Sequence, residues 1–181
     1  MNAAYTPANS ALFGSDEHLG VSRALSELQG RRPIRINASG EVLFTLPVEG
    51  LDDQRLREFV TLCGPNAPEL IVTQQRARAL GIEASTPMAL PLSGEAHTSD
   101  ILALAADGEG HFSSKAEAAG RAARAAIRLV KISRGLPSVL AANVANIHSG
   151  LLHSIVAVEA DAVERFAASP ANTLAVASEA P

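Results

Sequence analysis

The stretch GRAARAAIRLVKISRGLPSVL, residues 120–140, constrains the fold more than any other part of the sequence. Ala123, Ala126, Ile127 and Val130 recur at helical spacing, and with Ala119 they form an apolar face. Arg121, Arg124, Arg128 and Lys131 follow at intervals of three, four and three and line the opposite side. Ser114 and Glu117 have capping-box spacing, which predicts a helix opening at Ser114, and Gly135 followed by Pro137 ends it. SVLAANV then reads as a strand. A one-sided helix running into an apolar strand calls for a core shared by helices and a sheet. The basic stripe leaves three readings open: a surface for phosphate or nucleic acid, the remnant of an active site, or the wet side of a packing helix.

The rest of the chain alternates in the same way. Val21, Ala24, Leu25 and Leu28 predict a helix from Ser15 that Gly30 closes. RRPIRIN and EVLFTLP, joined by ASG, predict a strand pair with a tight turn. LDDQRLREFVTLCG predicts a helix capped by Asp52 or Asp53, with Leu56, Phe59, Val60 and Cys63 on one face. ELIVT predicts a buried strand, QQRARALG a short helix ended by Gly81, and TPMALPL an extended segment that Pro87 and Pro91 push to an edge or an irregular position. TSDILALAADG predicts a helix capped by Thr98 or Ser99, SIVAV a strand, and EADAVERFAAS a last helix. The expected fold class is therefore α/β or α+β, with a mixed central sheet flanked by helices. Residues 1–14 read as a disordered leader, 15–168 as one domain, and 169–181 as a linker toward a missing C-terminal domain.

Composition narrows the function. Hydrophobic residues make up 47% and charged residues 19% of the 181, a globular profile with no apolar run long enough to span a bilayer. A cytoplasmic protein without a membrane partner is the expectation. Net charge is −4 and aromatics are 3%, which argues against nucleic acid, whose binders carry basic surfaces and stacking rings. The single Cys63 excludes an internal disulfide and any multi-cysteine metal site; on the apolar side of its helix it reads as a buried, inert thiol.

Chemistry-bearing residues are sparse. His97, His111, His148 and His153 fall in no metal-binding helical spacing, and surface or cap roles account for them. Asp52 and Asp53 read as a helix cap, and Glu41 and Glu49 as solvent-exposed acids flanking a strand. No P-loop occurs; Gly108 and Gly110 precede the long helix in a way that favours anions only weakly.

Several segments together resemble dihydroxybutanone phosphate synthase, a riboflavin-pathway enzyme that makes a four-carbon phosphate and formate from ribulose 5-phosphate. ALSELQGRRPIRI, EVLFTLPVEGLDDQRLREFVTLCG, ELIVTQQRARALGI and IRLVKISRGLPSVLAANV are similar to successive parts of that family, over roughly residues 20–166. The resemblance implies the synthase fold and a homodimer. It also exposes departures. The family's acidic loop for Mg²⁺ and substrate is replaced by NASGE, with Glu41 as the one acid left. Its His-Thr-Glu triplet falls on Ala122, Ala123 and Arg124, its later catalytic Glu on Asn143, and its reactive Cys within ELIV.

No catalytic residue and no cofactor are expected in this chain on that comparison. Arg31, Arg32 and Arg124 are the candidates for holding a phosphate. The tail DAVERFAASPANTLAVASEAP is similar to the segment that leads into GTP cyclohydrolase II in fusion proteins, so a cyclohydrolase domain, in cis or in trans, is the expected partner. The expected role is structural, dimerising or regulatory. The alternative is an active synthase acting on ribulose 5-phosphate with Mg²⁺ and relocated groups.

Overall fold

A computed structural model of the chain describes residues 15–94, 96–107, 112–143 and 154–168. Its spine is the hairpin β1 (Ile34–Ala38) and β2 (Glu41–Pro47), paired antiparallel from Ile34↔Thr45 to Ala38↔Glu41 across a turn in which Gly40 takes φ 75°. Such a left-handed backbone suits glycine, which has no Cβ to clash. β3 (Glu69–Val72), β4 (Met88–Pro91), β5 (Glu117–Ala118), β6 (Ser138–Asn143) and β7 (Ala157–Glu159) complete a seven-stranded sheet of order β5-β4-β3-β6-β2-β1-β7. Every pairing is antiparallel except β1 with β7, so the sheet is mixed.

Helices cover both faces. On one face lie α1 (Asp16–Gln29), α5 (Arg121–Ile132) and α6 (Ala160–Ala168), packed on Ile34, Ile36, Leu43, Ile71, Val139 and Ala141. On the other, α2 (Asp53–Cys63), α3 (Gln74–Ala79) and α4 (Thr98–Ala106) pack on Phe44, Leu46, Leu70, Val72 and Leu140. Coverage of both faces explains why β3 and β6 read as continuous apolar runs instead of alternating patterns.

Helix starts follow the capping rules. Ser15 Oγ accepts from His18 N–H at 3.2 Å, Asp52 Oδ1 from Arg55 N–H at 2.8 Å, and Thr73 Oγ1 from Arg76 N–H at 3.1 Å. α1 and α6 meet through Arg165 and Glu17, whose Nη2 and Oε1 are 2.7 Å apart, and through the His18 and Phe166 rings, 4.6 Å between centroids.

Four expectations need correction. The long helix begins at Arg121 with Gly120 as its N-cap, and not at Ser114. Glu117 and Ala118 form β5 against Ala89 and Met88, and Ala119 N–H donates to the Pro87 carbonyl at 2.9 Å, so strand pairing displaces the capping box. β4 is not an edge: it lies between β3 and β5, its prolines taking the flanking position 87 and the last strand position 91. α4 is capped at His97, whose N–H donates to Asp100 Oδ2 at 3.1 Å, with Thr98 already helical. Val60 is 41% exposed, while Phe59 and Cys63 of the same helix are buried. Residues 1–14, 108–111, 144–153 and 169–181, which include the leader, Gly108 and Gly110, His111, His148, His153 and the linker, lie outside the described residues.

Candidate functional site

The residues that fall on the synthase's catalytic triplet open α5. Ala122 is fully buried and Ala123 is 3% exposed, both packed in the core beneath the helix. Gly120 offers no capping side chain, so the free N–H groups of the first turn need an acceptor from elsewhere. Glu41, at the start of β2, supplies it: its Oε2 accepts from Ala122 N–H at 3.3 Å. A carboxylate there also meets the positive end of the helix dipole. The fit depends on glycine, because a Cβ at position 120 would stand 2.9 Å from Glu41 Oε1. Glu41 is thus a tertiary helix cap and not the solvent-facing acid expected from its flanking position.

Other acids share this corner. Side chains two residues apart on a strand, and cross-strand partners, lie on one face of a sheet. Leu43, Ile71 and Ala89 pack in the α5 core, which places Glu41, Glu69 and Glu117 on that face as well. Asn143, opposite Leu43, completes the row. Partial burial, then Glu117 and Glu41, pushes the Glu69 carboxyl above the ordinary range, as desolvation and like charge disfavour ionisation. Asn143, where the synthase has its later Glu, is exposed at the end of β6.

The basic stripe divides. Arg121 donates from Nε to Glu164 Oε1 at 3.2 Å, and its Nη2 lies 2.8 Å from Asp161 and 2.9 Å from Glu164. The hydrogen bond from Arg121 holds the Glu164 carboxyl below its ordinary range, with Arg124 and Arg128 adding smaller attractions. Arg124 Nη1 donates to the Ala119 carbonyl at 3.1 Å, bracing the turn into the helix. The stripe is therefore the wet side of a helix, with Arg121 bonded to the acids of α6.

The three phosphate candidates do not converge. Arg31 and Arg32 follow α1, whereas Arg124 sits in the first turn of α5, at the end of the sheet where β2 begins. Arg31 Nη2 lies 3.9 Å from Glu49 Oε1, and Arg32 pairs with Glu27. Glu49 does more than face solvent: its Oε2 accepts from Leu136 N–H at 3.0 Å, just past α5. His97 is an exposed helix cap. Burial pushes the Cys63 thiol up to about 12, so it stays protonated and unreactive at neutral pH.

Sequence reasoning missed the Glu41 cap and the Glu69 row. Neither had a local signal, since Glu41 and Ala122 are separated by 81 positions.

No protein-family model matches this sequence, and no curated protein does. Solved structures do match. A two-domain 3,4-dihydroxy-2-butanone 4-phosphate synthase from A. baumannii superposes with TM-score 0.60 at 9% identity, covering 81% of this chain and 57% of that one. The chain thus spans a little over half the length of that two-domain protein. The synthase of Candida albicans matches with TM-score 0.58 at 11% identity, covering 81% of this chain and 96% of the other. A synthase in complex with two magnesium ions matches with TM-score 0.60 at 10% identity, over 81% and 95%.

Magnesium needs several oxygen ligands in near-octahedral array. Among the described residues no three His, Cys, Asp or Glu side chains are grouped to hold a metal, and the Glu41 carboxylate is turned onto Ala122 N–H. The described residues do not fit such an ion. No helix of the described residues is long and apolar enough to cross a membrane. The architecture of this chain, a mixed seven-stranded sheet between two helical layers, is that of the 3,4-dihydroxy-2-butanone 4-phosphate synthase fold.

Proposed function

We propose that this chain is a synthase-like domain that has lost the synthase reaction and works with a GTP cyclohydrolase II catalytic domain in riboflavin biosynthesis, in a structural, dimerising or regulatory role. The observation that carries this reading is the start of α5. Enolisation of a ketose phosphate requires a base within reach of the substrate and charge stabilisation for the enediolate. Ala122 and Ala123 are buried and bear no acid–base group, and the neighbouring acid Glu41 is committed to the helix N-terminus. The cyclohydrolase connection rests on the likeness of the C-terminal segment to the sequence preceding that enzyme in fusion proteins. On this reading zinc chemistry belongs to the cyclohydrolase domain, because the 181 residues carry one cysteine.

A second reading has one observation behind it. Glu69, raised above the ordinary carboxylate range beside Glu41 and Glu117, is the kind of group that serves as a general base, and Arg124 lies at the same end. Formate release separates the readings. The purified chain is incubated with ribulose 5-phosphate and Mg²⁺, and separately with GTP and Zn²⁺. The expected result is no formate from either, with the protein folded by circular dichroism. Formate from the sugar phosphate that disappears in Glu69→Gln would establish the second reading and end the first. Sedimentation tests the dimerising role: a homodimer is expected at micromolar concentration.

A further inference from the structure

A cavity of about 160 Å³ lies beyond the end of α1, on the α2 side of the sheet and at the opposite end of β2 from Glu41. Arg31, Arg32 and Arg55 form its polar wall, and Leu46, Phe59 and Leu62 its apolar one. Among the described residues that line it Glu58 is the one acid, and its Oε1 already accepts from Gln54 Nε2 at 2.9 Å.

Three observations point to a missing partner. Arg55 donates from Nη2 to the Arg31 carbonyl, but its Nε is shut off from solvent and has no acceptor among the described residues. Buried donors are nearly always satisfied, so an orphan beside a cavity marks a place where a water, ion or ligand belongs. Arg31 holds φ 57°, a left-handed conformation that residues other than glycine seldom adopt, and its own guanidinium reaches an acid only at 3.9 Å. Gly50, with φ 73°, leaves room for that side chain: a Cβ there would meet Arg31 Cδ and Nη1 at 2.7 Å. Arg32 is bonded to Glu27 and Arg31 faces Glu49, whereas Arg55 has no acid within ion-pair distance among the described residues.

We propose that this cavity binds an oxyanion carried on an apolar body, a phosphate monoester or an organic carboxylate. The guanidinium groups of Arg31 and Arg55 grip the oxyanion, Arg32 guards the rim, and Leu46, Phe59 and Leu62 receive the body. Planar N–H forks suit phosphate and carboxylate oxygens, and a half-enclosed site screens their charge less than open water does. The site lies away from the start of α5, so it stands whether or not the synthase reaction has been lost.

Thermal denaturation of the 181-residue chain tests it, with phenyl phosphate, benzoate, inorganic phosphate and potassium chloride compared at equal ionic strength. A saturable rise in Tm is expected with phenyl phosphate or benzoate, larger than with inorganic phosphate and absent with chloride. The responding head group identifies which oxyanion the site takes. Arg55→Gln and Arg32→Gln should each weaken the apparent affinity at least fivefold, and Arg124→Gln should leave it unchanged. If Arg55→Gln does not fold, Arg32→Gln, an exposed substitution, carries the comparison alone. Shifts no larger than those of chloride, or a phenyl phosphate response that survives Arg32→Gln, would overturn the proposal.

Discussion

A carboxylate meets the chain at each end of α5, Glu41 from the start of β2 and Glu49 from just beyond that strand's end, but the two ends are built differently. At its start, Glu41 accepts from Ala122 N–H, Ala122 is fully buried and Gly120 admits the carboxylate with nothing to spare. At its finish, Glu49 accepts from Leu136 N–H, and a cavity of about 160 Å³ stays open between Leu28, Pro47, Val130 and Arg134. The helix dipole accounts for the contrast. An acid at the first turn gains from both the hydrogen bond and the field, whereas an acid beyond the last turn opposes the field and needs cations beside it. Arg31 provides one at 3.9 Å, and Arg134 lines the same cavity. One carboxylate closes its end of the helix; the other leaves a polar opening.

The strongest way to break this contrast is to refill the closed end. Ala122→His should destabilise by roughly 1–3 kcal/mol through overpacking, a fall in Tm of several degrees by calorimetry, without producing formate release. A neutral effect would mean that space survives beneath α5. Next, Glu41→Ala should cost about 1 kcal/mol in urea titration, and Glu49→Ala about half of that. The reverse order would contradict the dipole argument. Gly120→Ala should cost about 0.5–1 kcal/mol by pushing the Glu41 carboxylate away, and almost nothing in a Glu41→Ala background; additivity in that cycle would show that the two residues act separately.

Two smaller effects sharpen the comparison. Arg134 sits at φ 62° in the glycine-favouring position after α5, where Arg134 N–H bonds to Lys131 O and Gly135 N–H to Val130 O. Arg134→Gly should therefore stabilise by about 0.5 kcal/mol in the same titration. The smallest effect is one of pH. Because the folded-state pKa of Glu69 is raised, its ionised form works against the fold at neutral pH, and that penalty fades as pH falls through the raised value. Glu69→Gln should raise Tm slightly at pH 7 and leave it unchanged near pH 4.

Much of the fold was legible locally. Ser15 and Gly30 bounded α1, and Asp52, one of the two acids expected there, capped α2. The apolar face of α5 was read correctly through Ala123, Ala126, Ile127 and Val130, all buried, while Ala119, read with them, is buried but precedes the helix. The start of α5 was misread because Ser114 and Glu117 satisfy a local rule that strand pairing with β4 overrides. A capping box satisfies free N–H groups at a helix start; pairing with Met88 and Ala89 instead gives residues 117 and 118 ladder partners. The candidate site was legible only as a set of departures from the pattern the sequence resembles. What stands there, Glu41 on the α5 N-terminus and the Glu69 row, arises from strands brought side by side by the fold, which no window of neighbouring residues contains.

The seam between α1 and α6 bears on how the chain folds. Val21, Ala24 and Leu28 of the first helix find their neighbours in α5, α6 and β7, and Glu17 meets Arg165 across 148 positions. A growing chain makes α1 first, yet α1 must wait for the last described strand and helix before its apolar side is covered. Long loops must close before those contacts reward the chain, which slows folding. The face of the sheet that carries Glu41 and α5 therefore cannot be complete until α6 is in place.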